Sequence, residues 1–309
     1  MKCVVLGGTG HIGSAIVREL RDFDYEVTVL TRDKTQLWDD DVVALETKNY
    51  EQVDYSRLFQ SCHYVVDAGA PYPIDATVPP ALARSLERAM QKKVSAARAN
   101  GSAYVYVSSF VTLLTNQRAH PYYLLKKRLE QIVVAECRRG LQARFLNPPA
   151  CFGPYDPKRV ELALVAALAD GRVPALMDAK LEYLDVRDLA RAIREGIEQG
   201  EWHGPARLPA LSLSTRDLAR EIAVQSGVDQ PSFVRMPTSL ATMSANVAEM
   251  GTYFLGLKTM LPALSVNLLV DGAAFYNEAP ITKVDSRYTL QNTVADAIAW
   301  YRTQGCLAA

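Results

Sequence analysis

The feature that most constrains this chain lies at its start. A short apolar run, Val4-Val5-Leu6, leads into Gly7-Gly8-Thr9-Gly10-His11-Ile12-Gly13. Ile12, Ile16 and Leu20 then recur at helical spacing. Glycines between a strand and a helix allow a sharp turn, a close backbone approach to a pyrophosphate, and tight helix–strand packing. The helix start presents free N–H groups and the positive end of its dipole to the phosphates. The loop therefore predicts a dinucleotide-binding unit, with Gly7, Gly8, Thr9, Gly10, His11, Ile12 and Gly13 lining the cofactor. A glycine-rich turn without a ligand is the alternative. His11 opens the helix, and no residue nearby in sequence would orient it for catalysis.

The first half of the chain keeps this rhythm. Strands are expected at Val27–Leu30, Tyr64–Val66, Tyr104–Val107 and Ala143–Leu146. Helices are expected around Leu58, over 81–99 and over 121–138. Strand–helix alternation means crossover units and a parallel sheet, with ligands at the carboxyl ends of the strands. The fold class is α/β, a doubly wound parallel sheet with a smaller C-terminal lobe. The dinucleotide-binding domain is expected over 1–150, with 181–202 returning to it, and the substrate lobe mainly over 151–309. The second half has a weaker rhythm but two clear helices. One runs from Thr215 to Ser226, with Ser214 as N-cap and Asp217 completing a capping-box-like pair. The other runs from Leu290 to Thr303, stopped by Gly305.

The second strand ends in Leu30-Thr31-Arg32-Asp33-Lys34. An NAD site usually carries an acid there for the ribose hydroxyls. Thr31 is read as the first residue past the strand. Arg32 offers a planar cation suited to a 2′-phosphate. This favours NADP bound by Arg32. The alternative is NAD, with Asp33 on the ribose.

Chemistry-bearing residues gather further on. Ser108-Ser109 follow the strand that ends at Val107. Pro121–Lys127 then holds two overlapping Tyr-x-x-x-Lys pairs, Tyr122 with Lys126 and Tyr123 with Lys127. Four-residue spacing puts each pair on one helix face. Tyr122, Lys126, Leu129 and Val133 follow a buried stripe, whereas Tyr123, Lys127, Glu130 and Val134 share a more polar face. Tyr122 and Lys126 are therefore preferred. A nearby ammonium lowers a phenol's pKa, so the phenol can exchange a proton with a carbonyl or alcohol oxygen.

Composition removes other classes. Lys plus Arg and Asp plus Glu number 34 each, so bulk charge draws the chain neither to nucleic acid nor to an anionic membrane. Five scattered cysteines and four scattered histidines form no disulfide framework or metal cluster, which fits a reducing cytoplasm. The opening MKCVVLGG does not read as a signal peptide. The least polar stretch, 236–270, is interrupted by Glu249 and Lys258, short of the roughly 18 apolar residues a spanning helix needs.

These motifs together resemble the extended short-chain dehydrogenase/reductases of the NAD-dependent epimerase/dehydratase superfamily, on the dihydroflavonol-reductase and hydroxysteroid-dehydrogenase side. The loop 7–13 is similar to the family's TGxxGxxG, and Val65–Ala70 to the strand that ends beside the cofactor. Tyr122–Lys126 with Glu130 resembles Y-x-x-x-K-x-x-x-E. Asn147–Pro154 resembles the RPxxxxGP segment, with Asn147 where many relatives have Arg, and Leu184–Ala190 resembles V-x-D-x-A. The resemblance implies Ser109, Tyr122 and Lys126 as catalytic residues. It adds Ala68, Gly69, Ala70, Lys126, Asn147 and Pro148 to the cofactor site, and it implies a helix-mediated homodimer. Two positions depart from the pattern: Asp67 replaces a common His, and Leu86 stands near a common Asn.

The expected activity is NADP-linked reduction of a ketone or aldehyde. A nucleotide-sugar epimerase or dehydratase is the alternative on the same fold. Dehydratases of this kind carry an Asp-Glu pair just after the catalytic hydroxyl, whereas Phe110 and Val111 follow Ser109 here. Basic clamps for a nucleotide diphosphate are few, since 231–280 holds only Arg235 and Lys258. That stretch is rich in Met, Leu, Ala and Tyr, so the substrate is expected to be rather apolar. A non-catalytic dinucleotide sensor would be expected to lose Tyr or Lys.

Overall fold

The computed structural model describes residues 1–309 except 38–41, 70–78, 115–120, 157–163, 201–204, 209, 236–242, 244–267, 273–285 and 308–309. Ala70 and nearly all of the apolar stretch 236–270 lie outside the described residues. The chain divides into two compact units. The first comprises Met1–Tyr72, Val78–Pro148 and Val186–Leu208; the second comprises Pro73–Thr77, Pro149–Asp185 and Pro209–Ala309.

The first unit is built on seven strands: β1 (Lys2–Leu6), β2 (Glu26–Thr31), β3 (Val43–Glu46), β4 (Tyr64–Asp67), β5 (Ala103–Val107), β6 (Ala143–Asn147) and a last strand, Pro205–Arg207. Counted along the chain that last strand is β10, and the sheet order is β10-β6-β5-β4-β1-β2-β3. Every pair is parallel. Runs such as Cys3–Leu6 and Ala103–Val107 are buried throughout, as strands covered on both faces must be. The order reverses between β1 and β4. That is the switch point at which doubly wound sheets of the Rossmann type open a crevice for ligands.

Helices cover the sheet. α1 (His11–Asp22) packs against α6 (Val186–Glu198), and α3 (Pro80–Asn100) packs against α4 (Pro121–Cys137). α2 (Tyr55–Leu58) is one short turn. Ile16, Val17 and Leu20 of α1 and Leu189, Ile193 and Ile197 of α6 are buried. The side chain of Arg194 is only 6 % exposed. It joins α6 to Glu19 of α1 at 2.8 Å, bonds Glu198 at 2.6 Å, and stacks on Phe23 at 3.7 Å. Its acidic partners are partly solvated, so the pair ranks between a surface bridge and a fully buried one. Arg194→Met should cost about 2 kcal/mol in a urea melt. A loss under about 0.5 kcal/mol would mean that apolar contacts alone hold α1 to α6.

The second unit holds β7 (Ala150–Phe152), β8 (Ala175–Met177), β9 (Lys180–Asp185), β11 (Leu211–Ser214) and β12 (Ser232–Val234). β9 lies between β11, antiparallel, and β7, parallel; β8 pairs with β12. α5 (Leu164–Ala169), α7 (Thr215–Ser226) and Leu290–Thr303, here α8, close a core around Tyr183, Leu213, Ile222, Ile298 and Tyr301. The buried Asp185 at the end of β9 accepts a hydrogen bond from Thr293 of α8 at 2.7 Å. Ser214 caps α7 as expected, accepting from the Arg216 N–H. Asp217 corrects the capping-box expectation: its carboxylate pairs with Arg220 at 3.2 Å, one turn along the helix. Gly305, with φ +68°, follows α8.

Candidate active site

The glycine loop follows β1 directly. Gly7 has φ +77°, and a Cβ there would come within 2.6 Å of the Gly69 Cα. Gly13 lies in the first turn of α1, where a Cβ would fall 2.1 Å from the Gly7 carbonyl oxygen. A side chain is thus excluded at Gly7 by conformation and at both positions by contact. Gly10 donates to the Gly7 carbonyl at 3.0 Å and stands at the N-cap of α1. No side chain caps that helix, and its first turn carries no acid. A loop backbone this bare, ahead of an uncapped twelve-residue helix, fits a dinucleotide pyrophosphate. Thr9 is buried and shares a 2.6 Å hydrogen bond with Thr31, which ties the loop to the end of β2. The half-buried His11 has its Nε2 enclosed without a hydrogen-bond partner among the described residues. Ile12 is half-buried beside it.

Thr31 is the last residue of β2, not the first residue past it. Arg32 is therefore the first residue beyond the strand, and it is exposed. The Asp33 carboxylate is turned to Thr35, accepting from its N–H at 3.0 Å and its hydroxyl at 2.6 Å. The turn after β3 adds a residue that the sequence did not single out. Lys48 donates to the Arg32 carbonyl at 2.5 Å and pairs with Glu46 at 2.9 Å. This hydrogen bond, and a weaker one from the Lys34 N–H, lower the Glu46 carboxyl below its ordinary pKa.

At the switch point Ala68 and Gly69 continue from β4. The Ala68 N–H donates to the Leu6 carbonyl at 3.0 Å, which places this backbone against the glycine loop. Asp67, the last residue of β4, is buried. It accepts from Lys93 at 2.8 Å, from the Tyr104 hydroxyl at 2.6 Å and from the Gly69 N–H at 3.0 Å. Burial pushes its carboxyl up, but the Lys93 ammonium and the hydrogen bonds outweigh burial and hold it below its usual value.

Beyond β5 the remaining candidates converge. Tyr122 and Lys126 are both buried on α4. The Lys126 ammonium donates to the Val107 carbonyl at 3.2 Å and lies 5.3 Å from the Tyr106 ring centre and 6.0 Å from that of Tyr122. Burial lowers its pKa to about 8, partly opposed by the carboxylates of Asp67 and Glu130. Tyr123 corrects the two-face reading of this helix, since its side chain is fully buried too. The lysines separate the two pairs: Lys126 is enclosed, and Lys127 is exposed.

The two serines also differ. The Ser108 hydroxyl donates to Glu130 Oε1. Ser109 Oγ accepts from the Val111 N–H at 3.5 Å, and its own proton has no acceptor among the described residues. Glu130 Oε1 also accepts from Thr112 at 2.7 Å and from Asn147 Nδ2 at 2.8 Å. Asn147 donates further to the Ser109 carbonyl at 3.2 Å, and its buried Oδ1 has no partner among the described residues. The Pro148 carbonyl accepts from the Phe110 N–H at 3.1 Å. Ser109, Asn147 and Pro148 thus sit together around one turn, at the carboxyl edge of β5 and β6. Sequence spacing places Glu130 within a motif but does not show it as a shared acceptor.

Three comparisons bear on this arrangement. The profile of the NAD dependent epimerase/dehydratase family matches residues 3–204. A Synechocystis sp. protein named "Putative dihydroflavonol 4-reductase" is 23% identical, over 97% of this chain and 94% of its own. Among solved structures, UDP-N-acetylglucosamine 4-epimerase from Methanobrevibacter ruminantium superposes with a TM-score of 0.72 at 18% identity, covering 98% of each chain. UDP-glucose 4-epimerase of Thermus thermophilus, solved with NAD, gives 0.70 at 17% identity, covering 98% of this chain and 99% of its own. At such identities the structural likeness establishes the fold. Among the described residues no helix is long and apolar enough to cross a membrane.

Proposed function

Since the chain belongs to the NAD dependent epimerase/dehydratase family, as an NAD(P)-dependent enzyme of the extended short-chain dehydrogenase/reductase class, we propose that it is an NADP-linked reductase of a ketone or aldehyde on a rather apolar small molecule. The observation that carries this reading is the enclosed ammonium of Lys126 beside Tyr122, at the strand end that also bears a serine hydroxyl with a proton to give. Ser109 holds the carbonyl oxygen by a hydrogen bond. Tyr122 gives that oxygen its proton, and Lys126 steadies the phenolate left behind. When bound, a reduced nicotinamide supplies the hydride. Gly7–Gly13 would hold the pyrophosphate, with Ala68, Gly69, Asn147 and Pro148 towards the nicotinamide. Lys126 would also hold the adjoining ribose. Phe110 and Val111, both buried after Ser109, provide no acid–base pair for elimination. The five cysteines are all free thiols, which suits a reducing compartment such as the cytoplasm.

Arg32 would select NADP. Its guanidinium is exposed beyond β2, and Asp33, its rival for the ribose, is engaged by Thr35. In fluorescence titrations the wild-type protein should bind NADPH more tightly than NADH. Arg32→Ala should weaken NADPH about 10–100-fold and leave NADH nearly unchanged, as befits a charge-assisted contact. A wild-type preference for NADH, or interconversion of UDP-sugars with tightly held NAD, would overturn the reductase reading.

A further inference from the structure

Asp67 and Lys93 form an ion pair with side-chain exposures of 1% and 7%. Such a pair loses much of its Coulomb gain to desolvation, and an apolar pair often serves stability as well. Its position suggests another use. Asp67 Oδ1 accepts from Gly69, the residue whose backbone lies against Gly7. Asp67 also stands in register with Tyr106 of β5, over whose ring the Lys126 ammonium lies. Among the described residues, the charged and titratable groups around Lys126 come from β4, α3, β5 and α4. They are Asp67 of β4, Lys93 of α3, Tyr106 of β5, and Glu130 and Tyr122 of α4 itself.

We infer that Asp67 and Lys93 are a pair of positioning residues with opposite signs, which together set the protonation of Lys126. The carboxylate favours the charged ammonium, and Lys93 limits that hold. The inference rests on the cofactor role proposed for Lys126. Burial is the largest influence lowering the Lys126 pKa; Asp67 leads the opposing influences, and Lys93 adds to the lowering. The two substitutions therefore act in opposite directions. Asp67→Asn removes the attraction, so Lys126 gives up its proton at lower pH. Lys93→Met removes the repulsion, while the Tyr104 hydroxyl and the Gly69 N–H still donate to the Asp67 carboxylate and keep it charged, so Lys126 keeps its proton to higher pH. A purely structural pair would lose stability in both variants without opposed shifts.

The test is NADPH binding, followed by nicotinamide fluorescence across about pH 6 to 10, the range spanning a depressed and an ordinary lysine. Wild-type affinity should fall along an alkaline limb that Lys126→Met lacks. The limb should move down by about one pH unit in Asp67→Asn and up by about one in Lys93→Met, and stay in place in Lys93→Arg. If Lys93→Met does not fold, Lys93→Gln keeps a donor for Asp67 and makes the same prediction. Shifts in one direction in both variants, no shift, or a wild-type titration without the limb would overturn the inference while NADPH binding stands. Absence of NADPH binding by the wild-type protein would instead remove the reductase reading beneath it.

Discussion

Tyr122→Phe lowers kcat/KM for carbonyl reduction about 10²–10⁴-fold, the range that one positioned proton donor supplies. NADPH affinity stays within about threefold, because the ring remains and only the hydroxyl is lost. The comparison that gives the measurement its force is Tyr123→Phe. The two tyrosines are adjacent, both buried, with ring centres 6.0 Å apart. Burial alone cannot rank them. The lysine one turn on can, because Lys126 is enclosed and Lys127 is exposed. Tyr123→Phe should therefore keep kcat/KM within about threefold while lowering stability by about 1 kcal/mol, the worth of a buried hydroxyl's contacts. Steady-state kinetics on a panel of apolar ketones, with a thermal melt of each variant, reads both effects. A greater loss of turnover in Tyr123→Phe would move the proton donor to that residue.

Gly13→Ala carries the second large effect. The added methyl would stand 2.1 Å from the Gly7 carbonyl oxygen and 2.9 Å from the Gly8 Cα. Both obstacles are backbone, so no rotamer relieves them. The start of α1 must move away from the loop, at a cost of about 1–3 kcal/mol for an overpacked site. The same displacement takes the helix N–H groups away from the pyrophosphate position. NADPH affinity should fall by about 100-fold or more, beyond what one lost charge-assisted hydrogen bond would give. Gly10→Ala is the control for folding: its Cβ would meet only the Gly7 carbonyl oxygen, at 3.4 Å. Its melting temperature should stay within about 2 °C of wild type, since surface-like changes cost little. Gly13→Ala protein that melts and binds like the wild type would show that the loop yields more readily than its contacts imply.

The parts legible in the sequence share a local cause. β1, β2, β4, β5 and β6 are short apolar runs buried on both faces, and such runs declare themselves. The glycine loop is legible because backbone contacts forbid side chains at particular positions. β3 escapes notice because it is an edge strand with Val43 and Leu45 exposed, so its residues carry no pattern of burial. The strands of the second unit are three to six residues long, too short for periodicity to separate from loops. On α4 the apolar stripe identifies Lys126 but not the burial of Tyr123, because a helix packed on both the sheet and α3 has more than one buried face. The Asp67–Lys93 pair spans 26 residues and two elements, and the donors to Glu130 come from two segments, the turn after β5 and the end of β6. Residue type marks such groups as chargeable, but only the fold shows which one is the partner.

The bond between Arg194 and Glu19 has a consequence for the order in which the protein is made. These residues are 175 positions apart, and α6 is the element that packs on α1. While the ribosome builds the chain, α1 and the early strands emerge first, with the apolar surface that α6 will later cover still open to solvent. The covering helix emerges only after the whole segment Pro149–Asp185 of the second unit has been synthesised. At about 5–20 residues per second, the 175 residues between Glu19 and Arg194 take about 9 to 35 s. The nascent amino-terminal segment thus carries open apolar surface throughout that interval. The first unit is complete only once β10, Pro205–Arg207, has also emerged and paired with β6.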